Sequence, residues 1–399
     1  MLAALLASTS ALTTPSRGLN ERTMPRRAAL QGLGAGLVGA SLPPLAPAAA
    51  AAPATLATAA AAAPATLTTA AAAAPTPLVL PPIGIGAWAW GDSLFWGYDK
   101  KNDDELREVF EYVAKSKYAF FDTAELYGLG RSETLLGDFE KASGQHVAIA
   151  SKFAALPWKT KPADVVKACK GSLKRMGRDS MELYQVHFPN AWANAAYWDG
   201  IADCYDQGLV KAVGVSNYGV DAVTAASEAL AARGVPLYSN QIQYSLLHPF
   251  ANQNGLKQRC DELGVKVLAY SPIGLGLLSG KYSRDVLPSG PRAQLGKAFF
   301  EQGAAADALV ATVRRTADKH GGTPAQVAIN WCVAKGALPI PGARNLQQAQ
   351  QNLGALAWKL DAEDVAALDA ASAAIQRLDG GNSPFPEKDI GTGLRMFDS

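Results

Sequence analysis

Short apolar runs and longer stretches of helical period alternate along most of this chain. From Asp103 to Lys117, Leu106, Val109, Phe110 and Val113 recur on one helical face, behind an Asn-Asp-Asp start signal. Tyr118 to Thr123 then reads as a strand. The rhythm repeats, with helices predicted over 132–141, 163–176, 197–207, 220–233, 252–263 and 306–320. Strands follow them at 146–153, 181–188, 210–216, 237–243, 265–270 and 338–341. A first strand is predicted over 78–90, and two closing helices near 346–356 and 362–375. Eight strand–helix units in roughly 300 residues predict an α/β chain folded as a single-domain (β/α)8 TIM barrel. A doubly wound open sheet fits less well, because polar residues close nearly every strand. Ile83-Gly84-Ile85-Gly86 holds a G-x-G, but no third glycine follows, so no dinucleotide-fold fingerprint is read there.

The first 75 residues break the rhythm. They contain no lysine or aspartate, one glutamate (Glu21) and four arginines, and Ala48 to Ala74 is almost entirely Ala, Pro and Thr. That composition reads as a disordered targeting leader and linker, residues 1–75, ahead of a barrel at 76–399. A plastid transit peptide is expected, with the stroma favoured. Arg26-Arg27 before a mildly apolar segment leaves the thylakoid lumen open as a destination. Four glycines and three prolines cut that segment below the ~20 apolar residues of a membrane span. The whole chain carries a net charge of +2, but the leader alone carries +3 and the remaining residues −1, so nothing favours nucleic acid. Four scattered cysteines and four histidines lack metal-ligand spacing.

The strand ends carry the chemistry. Phe120-Phe121-Asp122 ends in a carboxylate, with Tyr127-Gly128 five residues on. Ile149-Ala150-Ser151-Lys152 ends in a cation, and Leu183-Tyr184-Gln185-Val186-His187 ends in an imidazole. In a parallel barrel these ends converge on one mouth. Hydride reduction of a carbonyl leaves an alkoxide that needs a proton. Tyr127 can give it once Lys152 favours the phenolate and lowers a pKa of about 10. Asp122 would hold Lys152, and His187 would orient the carbonyl oxygen.

Asp122-Thr123-Ala124…Tyr127-Gly128 with Ser132-Glu133…Leu136-Gly137 resembles the signature of the aldo-keto reductases, over about Leu78 to Leu378. Trp88-Ala89-Trp90-Gly91 and Ile329-Asn330-Trp331-Cys332 bring it nearest to plant and algal plastid members, pyridoxal reductase-like enzymes among them. The resemblance implies a catalytic tetrad of Asp122, Tyr127, Lys152 and His187, NADPH as cofactor, and a small-molecule aldehyde or ketone as substrate.

Ser216, Asn217, Gln241 and Tyr270 end later strands and supply the donors, acceptors and ring face that position a nicotinamide. Ser216-Asn217 can also be read as a cap for the next helix. The family implies that the loop beyond Ser271-Pro272 folds over the pyrophosphate, with Gly276, Leu278 and Lys281 as contacts, although Lys281 also suits a plain surface lysine. Gly342 and Arg344 open a helix after the eighth strand, a place that attracts phosphate, and the resemblance implies that the adenosine 2′-phosphate sits there. Gln348 replaces a second basic residue there, and Gln351 and Asn352 match positions near the adenine.

Trp88, Trp90, Phe153 and Phe188 are expected to line an apolar substrate pocket, with core packing as the alternative reading. The rival function is an NADP(H)-binding regulatory or redox-sensing subunit that turns over slowly.

Overall fold

In the computed structural model of this protein the described residues are 78–190, 192–376 and 378, with the backbone of the short strands Asp389–Ile390 and Leu394–Arg395. The leader, its Arg26-Arg27 pair and the Ala/Pro/Thr-rich linker lie outside them.

Eight parallel strands run in chain order: β1 (Ile85–Gly86), β2 (Phe120–Asp122), β3 (Ala148–Phe153), β4 (Met181–Val186), β5 (Val210–Ser216), β6 (Leu237–Gln243), β7 (Lys266–Tyr270) and β8 (Leu338–Pro339). The ring closes where Gly84 and Gly86 donate their N–H groups to the carbonyls of Pro339 and Pro341, at 3.1 and 3.0 Å. Closure explains why β1 has two residues when the apolar run over 78–90 predicts a long strand. A Cβ on Gly84 would lie 2.3 Å from the Phe120 ring, and one on Gly86 would lie 2.8 Å from the Ile340 carbonyl oxygen. Leu78 and Leu80, from the same run, instead join Phe120, Leu183, Leu268 and Leu338 in the apolar filling of the barrel.

The helices follow their strands: α1 (Asp103–Ala114), α2 (Arg131–Ser143), α3 (Pro162–Met176), α4 (Asn194–Asp206), α5 (Val220–Ala231) and α6 (Leu256–Glu262). Their apolar faces and the outward strand residues form one continuous layer, for example Val109 and Phe110 against Phe121. Two departures from expectation fall between β7 and β8. The loop expected between Pro272 and Phe300 contains a helical turn, Gly274–Ser279, and α7 (Arg292–Phe300). After α8 (Ala304–His320), α9 (Pro324–Ala334) precedes β8. It starts on a reciprocal cap between Thr323 and Gln326, with Pro324 at its first position. α10 (Leu346–Gly354) and α11 (Ala362–Ala373) complete the chain's helices among the described residues. No helix there is long and apolar enough to cross a membrane.

Candidate active site

Strand period builds the site, because every second residue of a barrel strand points inward. In β2, Phe120 belongs to the inner cluster and Phe121 to the outer layer, so Asp122 turns inward again. Lys152 follows Ala148 and Ala150 in the same phase, and Gln185 and His187 follow Leu183. An apolar floor thus gives way, one pleat further along, to a polar layer.

Lys152 is fully buried and central to that layer. Its Nζ donates to Asp122 Oδ1 at 2.5 Å, to the Thr123 carbonyl at 2.9 Å and to Tyr127 Oη at 3.3 Å. Asp122 Oδ2 accepts from Gln241 Nε2 at 2.7 Å and from Gln185 Nε2 at 3.4 Å. The Tyr127 and His187 rings meet edge to face, with centroids 5.7 Å apart. The structure therefore brings Asp122, Tyr127, Lys152 and His187 together. Tyr127 sits in a tight turn with Gly128 at φ 56°, where a Cβ would lie 2.5 Å from the Gly91 carbonyl oxygen. Only glycine fits after the tyrosine. Glu125 ties the neighbouring loops together, accepting from Ala154 N at 2.6 Å and from Lys159 Nζ at 2.8 Å.

The electrostatics differ from expectation at one point. Burial lowers the Lys152 pKa, and the Asp122 carboxylate acts against that shift. The Tyr127 pKa lies well above its ordinary value, raised by burial and then by the charge of Asp122. The sequence predicts the opposite, a tyrosine made acidic by Lys152. The reason lies in the distances: the ammonium is bonded more closely to Asp122 than to the phenol, so the phenol faces a nearly compensated ion pair and little water. Burial, with Lys152 second, holds the His187 pKa well below the usual histidine value. His187 is thus a neutral imidazole at physiological pH, and its buried Nδ1 has no hydrogen-bond partner among the described residues.

A second group covers β5 to β7. Ser216 Oγ donates to the Gln241 carbonyl at 2.8 Å. Asn217 Nδ2 donates to the His187 carbonyl at 3.0 Å and to Ser216 Oγ at 3.1 Å, and Tyr270 Oη donates to Asn217 Oδ1 at 2.9 Å. Neither Ser216 nor Asn217 caps α5, whose start at Gly219 has no side-chain cap. Asn217, Ser271 and Leu275 hold left-handed backbone at φ 62°, 51° and 53°. Strained backbone of this kind gathers at functional sites.

The third group is the Arg344 corner. Asn345 Oδ1 accepts from Gln348 N at 3.0 Å, and Gln348 Oε1 accepts from Arg344 N at 2.9 Å, so Gln348 secures the start of α10. Asn352 is buried and donates to the Gly342 carbonyl at 3.1 Å, which makes it a brace for the loop. Gln351 lends its backbone carbonyl to Gln326 Nε2. Pro272 is buried beside Ser271, the Leu278 side chain is core, Gly276 takes φ 98°, and Lys281 is exposed.

Two pocket assignments are corrected. Trp90 is fully buried among Phe121 and Phe139, with its Nε1 donating to the Ala343 carbonyl at 2.8 Å. Phe153 is fully buried against Tyr197. Phe153 has the outward phase of β3, Trp90 lies in the turn beyond β1, and both belong to the core. Trp88 does reach the site, 6.3 Å from the Tyr127 ring, and Phe188 is 5.6 Å from the His187 ring. His320 is partly buried, stacked on Trp358 and bonded to Asp364.

Sequence reasoning missed Arg292 and Gln185. Arg292 Nη1 donates to the Leu275 carbonyl at 3.2 Å, and its guanidinium lies 5.2 Å from the centre of the Trp96 ring, with that of Arg344 at 5.7 Å. Two guanidiniums therefore meet at this corner, one from α7 and one from the loop after β8. They fit a nucleotide bearing several phosphates. Gln185 was findable from strand period alone. Arg292 was not, because it reaches the corner from a helix hidden in an expected loop.

The aldo/keto reductase family pattern matches residues 82–373. The chain is 42% identical over 314 residues to the chloroplastic pyridoxal reductase of Arabidopsis thaliana, covering 74% of this chain and 84% of that one. It is 27% identical over 301 residues to an aldo-keto reductase of Schizosaccharomyces pombe whose name carries NADP(+), covering 70% and 85%. A thermostable aldo-keto reductase crystallised with the inhibitor epalrestat shares the fold at a TM-score of 0.59 and 27% identity, covering 73% of this chain and 95% of that one.

Proposed function

Because this chain belongs to the aldo/keto reductase family, we propose that it reduces an aldehyde or ketone to an alcohol with NADPH, taking the proton from Tyr127. The observation that carries this reading is the contact of Lys152 Nζ with both Asp122 and Tyr127, beside a neutral His187.

Bound NADPH supplies the hydride. The chain's own residues do the rest. Tyr127 Oη holds a proton at neutral pH and faces the mouth beside His187. Neutral His187 is far too weak an acid to release its ring N–H proton, but that N–H can donate a hydrogen bond to the carbonyl oxygen and fix its angle. Lys152 replaces the missing water around the phenolate once the proton has left, and Asp122 keeps Lys152 in place. Ser216, Asn217 and Gln241 would hold the nicotinamide carboxamide, with Tyr270 against its ring. Arg344 and Arg292 would hold phosphate, in keeping with the NADP(+) in the name of the fission-yeast relative.

Trp88 and Phe188 beside Tyr127 and His187 favour a planar, apolar carbonyl compound, and the likeness to a pyridoxal reductase makes pyridoxal the first substrate to try. That relative is chloroplastic and the leader has transit-peptide composition, so we place the protein in the plastid, in the stroma rather than the lumen. The test is NADPH oxidation with pyridoxal, methylglyoxal and aromatic aldehydes, with Tyr127→Phe as control. Steady turnover of one class, abolished in the variant, is expected. Tight NADPH binding without turnover of any of them would favour the slow regulatory subunit.

A further inference from the structure

Trp96 lies in the loop between β1 and α1, and it touches both ends of the site. Toward the catalytic side it meets Trp88 edge-on at 5.4 Å and Phe95 at 5.2 Å, and Trp88 in turn neighbours Tyr127. Toward the other side it lies beneath the guanidiniums of Arg292 and Arg344. The same indole thus bridges the proton donor's aromatic neighbours and both cations of the phosphate corner.

This arrangement has an unmet requirement. The Trp96 Nε1–H is shielded from water and has no hydrogen-bond partner among the described residues. Buried indole N–H groups usually find one, and leaving a donor unpaired is costly. The two cation–π contacts offset that cost, because guanidinium attraction to an indole face strengthens as water is excluded. A phosphate competes for the same guanidiniums with charge-assisted hydrogen bonds, which are stronger. Once the arginines turn to phosphate, the indole keeps its edge contacts with Trp88 and Phe95 but loses both cation–π contacts that offset its unpaired N–H.

We propose that Trp96 occupies the phosphate cradle in the cofactor-free protein and is displaced when cofactor binds, which makes it a determinant of cofactor affinity. This rests on the assignment of the Arg344 corner to the cofactor's phosphates. The loop can yield: Gly91 and Gly97 flank the segment with φ 88° and 67°, and Leu94 within it is 77% exposed.

Adenosine 2′,5′-bisphosphate tests this without a nicotinamide, which would itself quench tryptophan. The full chain, Trp96→Leu and Trp96→Phe are titrated with it while tryptophan emission is followed, with calorimetry giving the affinity. The wild-type emission should shift to the red as the indole reaches water. Trp96→Leu should lack the shift and bind about three- to tenfold tighter, with Trp96→Phe between the two. If both folded variants bind equally well or more weakly than wild type, Trp96 does not compete for the cradle. If wild type does not prefer the bisphosphate to adenosine 5′-monophosphate, the phosphate assignment itself fails. A clear preference with unchanged variant affinity removes only the role of Trp96.

Discussion

Lys152 Nζ is 2.5 Å from Asp122 Oδ1 and 3.3 Å from Tyr127 Oη, so the lysine's charge serves the carboxylate before the phenol. Burial first, and then the charge of Asp122, keeps the proton on the phenol above the ordinary tyrosine range in the cofactor-free protein. Ultraviolet difference titration of wild type against Tyr127→Phe should give curves that coincide up to about pH 10, where ordinary tyrosines ionise. Extra tyrosinate in wild type at pH 8 to 9 would mean that Lys152 acidifies Tyr127 after all.

Tyr127→Phe keeps the ring and removes the acidic hydroxyl. Single-turnover NADPH oxidation should slow on the order of 10²–10⁴-fold, the usual worth of general acid catalysis. NADPH affinity should hardly change, because the residues assigned to the cofactor all follow β4 in the chain. A Tyr127→Phe protein near the wild-type rate, beside an inactive His187→Gln protein, would move the donor to the histidine.

His187 also sets part of the acid stability. Its folded pKa is depressed, so as pH falls the unfolded chain takes up this proton first, near its ordinary value of about 6.5. The contribution is present above that pH and is lost as pH drops toward the folded value. His187→Gln should flatten the decline in urea midpoint between pH 6.5 and 5 relative to wild type. Parallel curves would show that His187 charges in the folded state.

Arg344→Ala should weaken NADPH binding by tenfold or more and leave NADH nearly untouched, since a charge-assisted bond is worth about 1.5–3 kcal/mol. Arg292→Ala should also weaken NADPH. If it weakens NADH as well, Arg292 contacts the pyrophosphate shared by both cofactors. Equal losses for both cofactors in Arg344→Ala would deny it the 2′-phosphate.

Gly137 lies where α2 crosses α3, and an added Cβ would fall 2.3 Å from the Met176 carbonyl oxygen. Backbone cannot rotate away as a side chain does. Gly137→Ala should therefore cost about 1–3 kcal/mol in denaturant unfolding, although alanine is the better helix former. An unchanged midpoint would show that the two helices can separate at little cost.

Strand parity made much of this legible in advance. Val210–Ser216 and Leu237–Gln243 fall where the apolar runs place them. Asp122, Lys152 and His187 were visible as the polar closures of such runs. What stayed hidden depended on chain segments meeting in three dimensions. Trp90 and Phe153 read as pocket because they close predicted strands, yet Phe153 is one residue out of phase with Lys152 and Trp90 packs beyond β1 against Phe121 and Phe139. The first strand shrank because Gly84 and Gly86 mark a close approach to β8 that no local pattern announces. α9 did carry a signal, Thr323-Pro324 followed by Gln326, which stands beside the stronger period of α8. The direction of the Tyr127 shift depended on how deeply the folded chain buries the phenol and how close it brings Asp122, which no sequence holds.

The two-residue pleat that sorts these side chains also limits how such a protein can change. The loops after Phe153 and Tyr270 can gain or lose residues while every strand keeps its phase. A single deletion between Phe120 and Asp122, or between Ala148 and Lys152, would instead exchange an inward ion for an outward hydrocarbon along the rest of that strand. Length variation among descendants of this chain is thereby channelled into the rim and barred from the strand ends that bury the Asp122–Lys152 ion pair.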